Sequence, residues 1–195
     1  MQAALIGKGP WLTGKKLGKC INTFDVVARV TNGRFGIDHG VKTDYMLTIQ
    51  YEIYLLKKYI DILKLKCIWF YETKGRRLEP EWKKFDDEIR NTVDYTKEIL
   101  HINDVIKHWL YMYEEIAEPL NRKNHPHVTY PSKGTAAALT IIELLKPGEL
   151  FMLGMDNVAA GKRTYHCHDF QAEKIVIKKA AEKHDVHLVW HYDSK

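Results

Sequence analysis

The strongest constraint in this sequence is a change of hydrophobic period along the chain. Short apolar runs bounded by turn residues alternate with longer segments whose apolar residues recur every three or four positions. The runs at 3–6, 24–30, 44–49, 66–72, 149–154 and 186–191 read as strands. Gly7-Lys8-Gly9-Pro10 stops the first and Asn32-Gly33 the second. Between them, 51–63 places Ile53, Leu56, Ile60 and Leu63 on one helical face. The stretch 103–118 has a similar pattern, with Asn103 as its N-cap. A third helix, 132–145, starts at Ser132 and stops at Lys146-Pro147-Gly148. A fourth, 169–184, carries Phe170, Ile175, Ile177 and Ala181, and Asp169 complements its dipole. Strands alternating with helices predict an α/β fold, a mostly parallel sheet flanked by helices, formed as one domain over 1–195. The polar stretch 73–98 reads as a surface insertion or as a helix over the site.

Composition narrows the function. Apolar residues are 45% and charged residues 28% of the 195, a globular profile. Lys plus Arg is 30 and Asp plus Glu is 25, a net charge of +5 spread along the chain. That mild excess suits an anionic small ligand and argues against nucleic acid as the partner. Three cysteines at wide spacing (Cys20, Cys67, Cys167) form neither a disulfide framework nor a paired zinc motif. The N-terminus lacks a basic segment followed by an apolar one, and no apolar run reaches the ~20 residues of a membrane span. A cytoplasmic protein with no membrane span is the expectation.

In parallel α/β folds, ligands sit where strand ends turn into helices. Three clusters fall there. The first is Gly7-Lys8-Gly9-Pro10-Trp11-Leu12-Thr13-Gly14-Lys15. Its glycines let backbone approach a ligand, and its lysines suit phosphate. Gly9 to Gly14-Lys15 matches half of a P-loop, but Lys16 stands where a magnesium-binding Ser or Thr is needed. A plain strand-to-helix turn is the alternative. The second cluster is Tyr130-Pro131-Ser132-Lys133-Gly134-Thr135. The N–H groups of Lys133, Gly134 and Thr135 point out of a helix start, an anion site unless Ser132 serves only as a cap. The third runs Tyr165-His166-Cys167-His168-Asp169-Phe170-Gln171-Ala172-Glu173. Histidine trades protons near neutral pH, and Glu173 can orient the His168 imidazole or be a solvated helix residue. Alternating His-Cys-His neighbours are poorly spaced for one metal ion, so no metal site is expected.

Taken in order, these clusters resemble the family 29 glycosyltransferases, the eukaryotic-type sialyltransferases. The long family motif is matched by Leu5-Ile6-Gly7-Lys8-Gly9, then Leu12-Thr13-Gly14, then Phe24-Asp25-Val26-Val27-Ala28-Arg29, and finally Asp38-His39-Gly40-Val41-Lys42-Thr43. The short motif is matched by Pro131-Ser132-Lys133-Gly134 and the strand beginning at Leu150, and the His-x4-Glu motif by His168 and Glu173. The resemblance implies a single Rossmann-like domain, a GT-A-like variant. It implies that Lys8, standing where the family has Asn, and Gly9 face a cytidine nucleotide. A second family Asn falls on Thr31 or, with a one-residue slip, on Asn32, whose amide is the better donor. Ser132, Lys133 and Gly134 are then nucleotide contacts, and Tyr165 or His166 lies near the family's His/Tyr motif. His168 is the implied general base, with Arg29, Asp38, Lys42 and Glu173 in support. The implied partners are a CMP-sugar donor and a glycan acceptor, with no cofactor and no metal. Ala4 and Leu145 lie near the places of the family's disulfide cysteines, so a minimal, anchorless version is expected.

The chemistry is self-consistent. A CMP-linked keto-sugar, sialic acid or a relative such as Kdo, departs from its phosphate through an oxocarbenium-like state. Helix N–H groups and lysines stabilise the charge left on phosphate. A histidine accepts the proton of the attacking hydroxyl. Single displacement inverts the anomeric centre and needs no metal. Two other functions compete: a P-loop-like kinase or NTPase, and a non-catalytic nucleotide-binding module.

Overall fold

Every strand pair in the sheet is parallel. The computed structural model describes residues 1–31, 34–49, 52, 65–71, 98–117, 130–160 and 168–191. Seven strands form one sheet: β1 (Gln2–Ile6), β2 (Val26–Val30), β3 (Tyr45–Thr48), β4 (Cys67–Phe70), β5 (Glu98–His101), β6 (Glu149–Leu153) and β7 (His187–His191). Their order across the sheet is β5-β4-β3-β2-β1-β6-β7. The chain steps outward from β1 to β5, then returns to build β6 and β7 on the other side of β1. The direction of winding therefore switches between β1 and β6, where folds of this type open a crevice at the strand ends.

The expected α/β class, a parallel sheet flanked by helices, is what forms. Described helices are α1 (Gly18–Ile21), α2 (Lys107–Ile116), α3 (Lys133–Leu145), α4 (Asp156–Ala160) and α5 (Phe170–Lys183), with a 3-10 turn at Pro10–Leu12. Alternation within the strands distributes the core. Ala3 and Leu5 of β1, with Val26, Ala28 and Val30 of β2, face the large core under α2, α3 and α5. Ala4, Ile6 and Val27 face a smaller cluster with Leu12, Ile21 and Leu153. Helix α3 is buried from Gly134 through Ile142, and its run Ala136-Ala137-Ala138 lets it lie close across β1, β2 and β3. It ends at Lys146, in the left-handed conformation with φ of 43°.

Several boundaries differ from expectation. Strand β2 starts at Val26 because Phe24 packs its ring on Phe151 and the Asp25 carboxylate accepts from the Gln2 N–H at 2.7 Å. Helix α2 starts at Lys107, after turns at 103–106, and Asn103 is not its cap. Asp169 does more than complement a dipole: its Oδ1 accepts from the N–H groups of Gln171 and Ala172 and caps α5. The edge strand β5 was not expected from its four mixed residues. The expected helix 51–63 lies outside the described residues apart from Glu52, as does 73–98 apart from Glu98, which opens β5. Among the described residues, no helix is long and apolar enough to cross a membrane.

The loops after β1 and β6 are in backbone contact. The N–H of Gly7 donates to the Leu153 carbonyl and that of Gly9 to the Gly154 carbonyl, both at 2.7 Å. Gly154 has φ of 68°, which favours glycine. A methyl group on Gly7 would lie 2.3 Å from the Gly154 carbonyl oxygen, a clash with backbone that no rotamer relieves. Gly7→Ala is expected to destabilise the fold by about 1–3 kcal/mol, the usual range for overpacking. Gly148→Ala, whose methyl would meet its nearest neighbour at 3.8 Å, is the control and should stay within about 0.5 kcal/mol. Urea melts of both variants check this, and equal stabilities would refute the backbone clash.

Candidate active site

A cavity of about 490 Å³ opens at the carboxyl ends of β1, β2, β3 and β6. Its walls are residues 7–10 after β1, residues 154–158 after β6, Val30, Ile49, Tyr130, residues 132–134 at the start of α3, and His168 and Phe170. Sequence order separates Gly7 from Phe170 by 163 positions, and the winding switch brings them together. The three clusters expected at strand ends all contribute to this one cavity.

Glu173 organises one wall. Its carboxylate has no exposure. One oxygen accepts from the Ser132 N–H at 2.7 Å, and the other accepts from the Ser132 hydroxyl at 2.6 Å and from the Thr135 hydroxyl. Burial pushes its pKa up, while His168 and the Ser132 and Thr135 hydrogen bonds act to lower it. Glu173 is therefore a buried carboxylate held by donors, and the solvated-surface alternative is excluded. Ser132 caps α3 by accepting from the Thr135 N–H at 3.3 Å, so its hydroxyl serves both the helix and Glu173.

His168 lies two residues before α5, with a side chain 20% exposed. Its Nδ1 lies 2.9 Å from the Tyr130 carbonyl oxygen and 3.6 Å from Glu173 Oε1. A carbonyl can only accept, so Nδ1 carries the proton and Nε2 is the basic nitrogen. Two side chains brace the region. The Tyr71 hydroxyl donates to the Pro131 carbonyl at 3.3 Å, and the Tyr113 hydroxyl accepts from the Asp169 N–H at 3.1 Å.

A cationic cluster faces the same cavity. Lys8 and Lys133 both line it, and both approach Glu52. Lys133 Nζ hydrogen-bonds Glu52 Oε1, and Lys8 Nζ lies 3.9 Å from the same oxygen. The Thr31 hydroxyl donates to Glu52 Oε2. Burial first, and then the Lys133 charge, push the Lys8 ammonium down to about 8, with Glu52 acting against both. Asp156 supplies another carboxylate on the wall; its Oδ2 accepts from the Trp11 N–H at 3.1 Å. A Cβ on Gly9 would meet that carboxylate at 2.5 Å.

The remaining expected residues are spread more widely. Thr31 is fully buried and contacts Glu52 rather than lining the cavity. Arg29 is also fully buried. Its guanidinium donates to the carbonyls of His39, Lys42 and Arg34 and to the Thr43 hydroxyl, so it fastens the chain around residues 34–43 to β2. Lys42 donates to the Phe24 and Asp25 carbonyls. Asp38 accepts from the N–H groups of Gly14 and Lys16, and those two bonds hold its carboxyl below the usual range. The same bonds dismantle the P-loop alternative: the amides of Gly14 and Lys16 serve Asp38, and Lys15 lies over the Trp11 ring. Asn32, Tyr165 and His166 lie outside the described residues.

Glu52 and Asp156 were absent from the expected site. Each had a weak signal. Glu52 is a lone acid in the mostly apolar stretch Ile49-Gln50-Tyr51-Glu52-Ile53, just past a strand end, and Asp156 follows Gly154-Met155 after β6.

No protein-family model and no curated sequence matches the chain. Its fold is similar to a crystal structure of a mammalian sialyltransferase, with a TM-score of 0.62 and 15% sequence identity, covering 96% of this chain and 68% of the other. It is equally similar to a mammalian sialyltransferase in complex with Gal-beta-1-3GalNAc-ortho-nitrophenol, with a TM-score of 0.60 and 18% identity over the same shares of the two chains. The parallel sheet and its flanking helices are thus arranged as in the sialyltransferase fold.

Proposed function

We propose that this protein is a glycosyltransferase of the sialyltransferase type, moving a keto-sugar from a CMP-sugar donor to a hydroxyl of a glycan acceptor. The observation that carries this function is the placement of His168. It stands at the cavity wall with Nδ1 held by the Tyr130 carbonyl and Glu173, beside the start of α3 and within the same cavity as Lys8 and Lys133. Likeness to the sialyltransferase fold supports the assignment, as do the ordered motifs matching family 29 glycosyltransferases.

In this scheme the acceptor hydroxyl attacks the anomeric carbon as the bond from that carbon to the phosphate oxygen breaks. The electron pair leaves with CMP, and His168 Nε2 takes the hydroxyl proton. Glu173 offsets the charge that then forms on the imidazole. The start of α3, with Lys8 and Lys133, offsets the charge on the departing phosphate. Displacement in one step inverts the anomeric centre. No group in this scheme requires a metal ion.

CMP at millimolar concentration is expected to raise the melting temperature in the presence of EDTA. Absence of any shift from both CMP and CMP-sialic acid would remove the donor assignment. His168→Ala should abolish transfer while CMP still binds within about threefold, because the base acts on the acceptor proton. Loss of CMP binding in that variant would instead make His168 a donor contact.

Glu173→Ala leaves the Ser132 and Thr135 donors without their buried acceptor. It should cost roughly 2–3 kcal/mol by denaturant melts and lower transfer further than stability explains, since His168 loses its support. Wild-type stability after this substitution would refute the buried-acceptor role.

Lys8 adds a pH dependence. With its ammonium at about 8, it is charged below that pH and loses its proton above it. A bound anion favours the charged form, so CMP binding is tightest below about pH 8 and weakens as pH rises to 9.5. Calorimetric titration across this range should show the loss in the wild type and a flat profile in Lys8→Met. A flat wild-type profile would take Lys8 out of anion binding.

A further inference from the structure

The lysine pair raises a question of charge. Lys133 is the first residue of α3, so its ammonium stands at the positive end of a helix. Lys8 approaches the same point from the loop after β1. Two cations and a helix start converge, and among the described residues Glu52 answers them. Two further described carboxylates have different partners. Asp156 accepts from the Trp11 N–H, and Glu173 accepts from Ser132 and Thr135. Glu52 is 8% exposed and held at both oxygens, Oε2 by the buried Thr31 hydroxyl and Oε1 by the lysines. Both of its oxygens are thus engaged by partners within the fold.

We propose that Glu52 sets the charge of the phosphate subsite, reducing the Lys8–Lys133 pair to a single net positive charge, so that the cavity favours a nucleoside monophosphate ester over a nucleoside diphosphate. The proposal rests on the nucleotide-sugar function above and names the residue that selects its phosphate class. The physical basis is Coulombic. A phosphodiester carries one negative charge and is matched by one net positive charge. A diphosphate brings further negative charge against a carboxylate engaged at both oxygens. Glu52→Gln keeps the shape and the acceptor oxygen for Lys133. The Thr31 hydroxyl can accept from the new amide, so the hydrogen bonds survive while the charge is lost.

The test compares cytidine, CMP and CDP by calorimetry at pH 7, where CMP carries close to two negative charges and CDP about one more, so the CDP-to-CMP ratio reads the added charge. It is run on the wild type, Glu52→Gln and Lys133→Gln, with melting temperatures confirming the fold. The wild type should bind CMP at least as tightly as CDP. In Glu52→Gln the preference for CDP should rise about tenfold, the order expected for one charge at close range, while cytidine affinity stays unchanged. Lys133→Gln should move the ratio the other way. Equal weakening of all three ligands in Glu52→Gln would mark a structural role and overturn the proposal. So would equal changes for CMP and CDP, or a wild type that already prefers CDP. If the wild type binds no cytidine ligand, the CMP-sugar function fails, and the pairs UMP with UDP and AMP with ADP decide the charge proposal. The same Glu52-dependent order in either pair upholds it, and no binding or an unchanged order overturns it.

Discussion

A carboxylate without solvent, Glu173, joins the starts of two helices. Burial alone raises the cost of its charge, and the fold offsets that cost with the Ser132 N–H and the hydroxyls of Ser132 and Thr135. Those donors belong to the first turn of α3, whereas Glu173 belongs to the first turn of α5. The bond set therefore fixes how α3 and α5 meet, and both helices cover the large core. His168 inherits its place from this joint. It lies two residues before α5 and reaches the Tyr130 carbonyl two residues before the Ser132 cap. A change at Glu173 therefore disturbs helix packing and the proposed base together.

The sheet supplies the second half of the site by a different device. Parallel strands β1 and β6 end side by side, and their following loops approach closely enough to exchange backbone hydrogen bonds. Glycine at positions 7 and 154 makes the approach possible. The chain then emerges at Lys8 and Gly9, which line the same cavity as the start of α3. This convergence brings Lys8 and Lys133 to the same carboxylate although 125 positions separate them in the sequence.

Much of this was legible in the sequence wherever one local rule decided the outcome. Apolar-rich stretches of four to seven residues marked six of the seven described strands, because a strand covered on both faces, as most of these are, needs little else. Ser132 and Asp169 marked helix starts because short polar side chains satisfy free N–H groups. His168 and Glu173, five apart across a helix start, were correctly suspected of contact. Strand β5 escaped because Glu98-Ile99-Leu100-His101 sits at an edge and shows neither clean alternation nor a full apolar run. The start of α2 escaped because Asn103 resembles a cap, while the chain turns until Ile106 before the helix begins. The half P-loop misled for a related reason: spacing was right, but the fate of its amides depends on Asp38, a contact across 22 to 24 residues. Glu52 gave only a weak signal for the same cause, since its partners come from the residue after β2, the first loop and α3.

A shared fold fixes where a ligand enters and leaves the reaction to the side chains. In the transfer proposed for this cavity those side chains divide the work: charge leaving with a phosphate falls to Lys8, Lys133 and the start of α3, and the proton of an attacking hydroxyl to His168, whose Nδ1 faces the Tyr130 carbonyl and Glu173. The two sets meet at Ser132 and Lys133, adjacent residues that answer to different carboxylates: Ser132 to Glu173, Lys133 to Glu52. That separation lets the base keep its tautomer while the cationic cluster changes its charge balance as an anion enters and leaves. One group serving both tasks would need to be positively charged for the phosphate and neutral for the proton. Under the proposed function, the arrangement of Glu52 and Glu173 behind adjacent residues removes that conflict, which gives a reason for two buried carboxylates among the described residues of a small site.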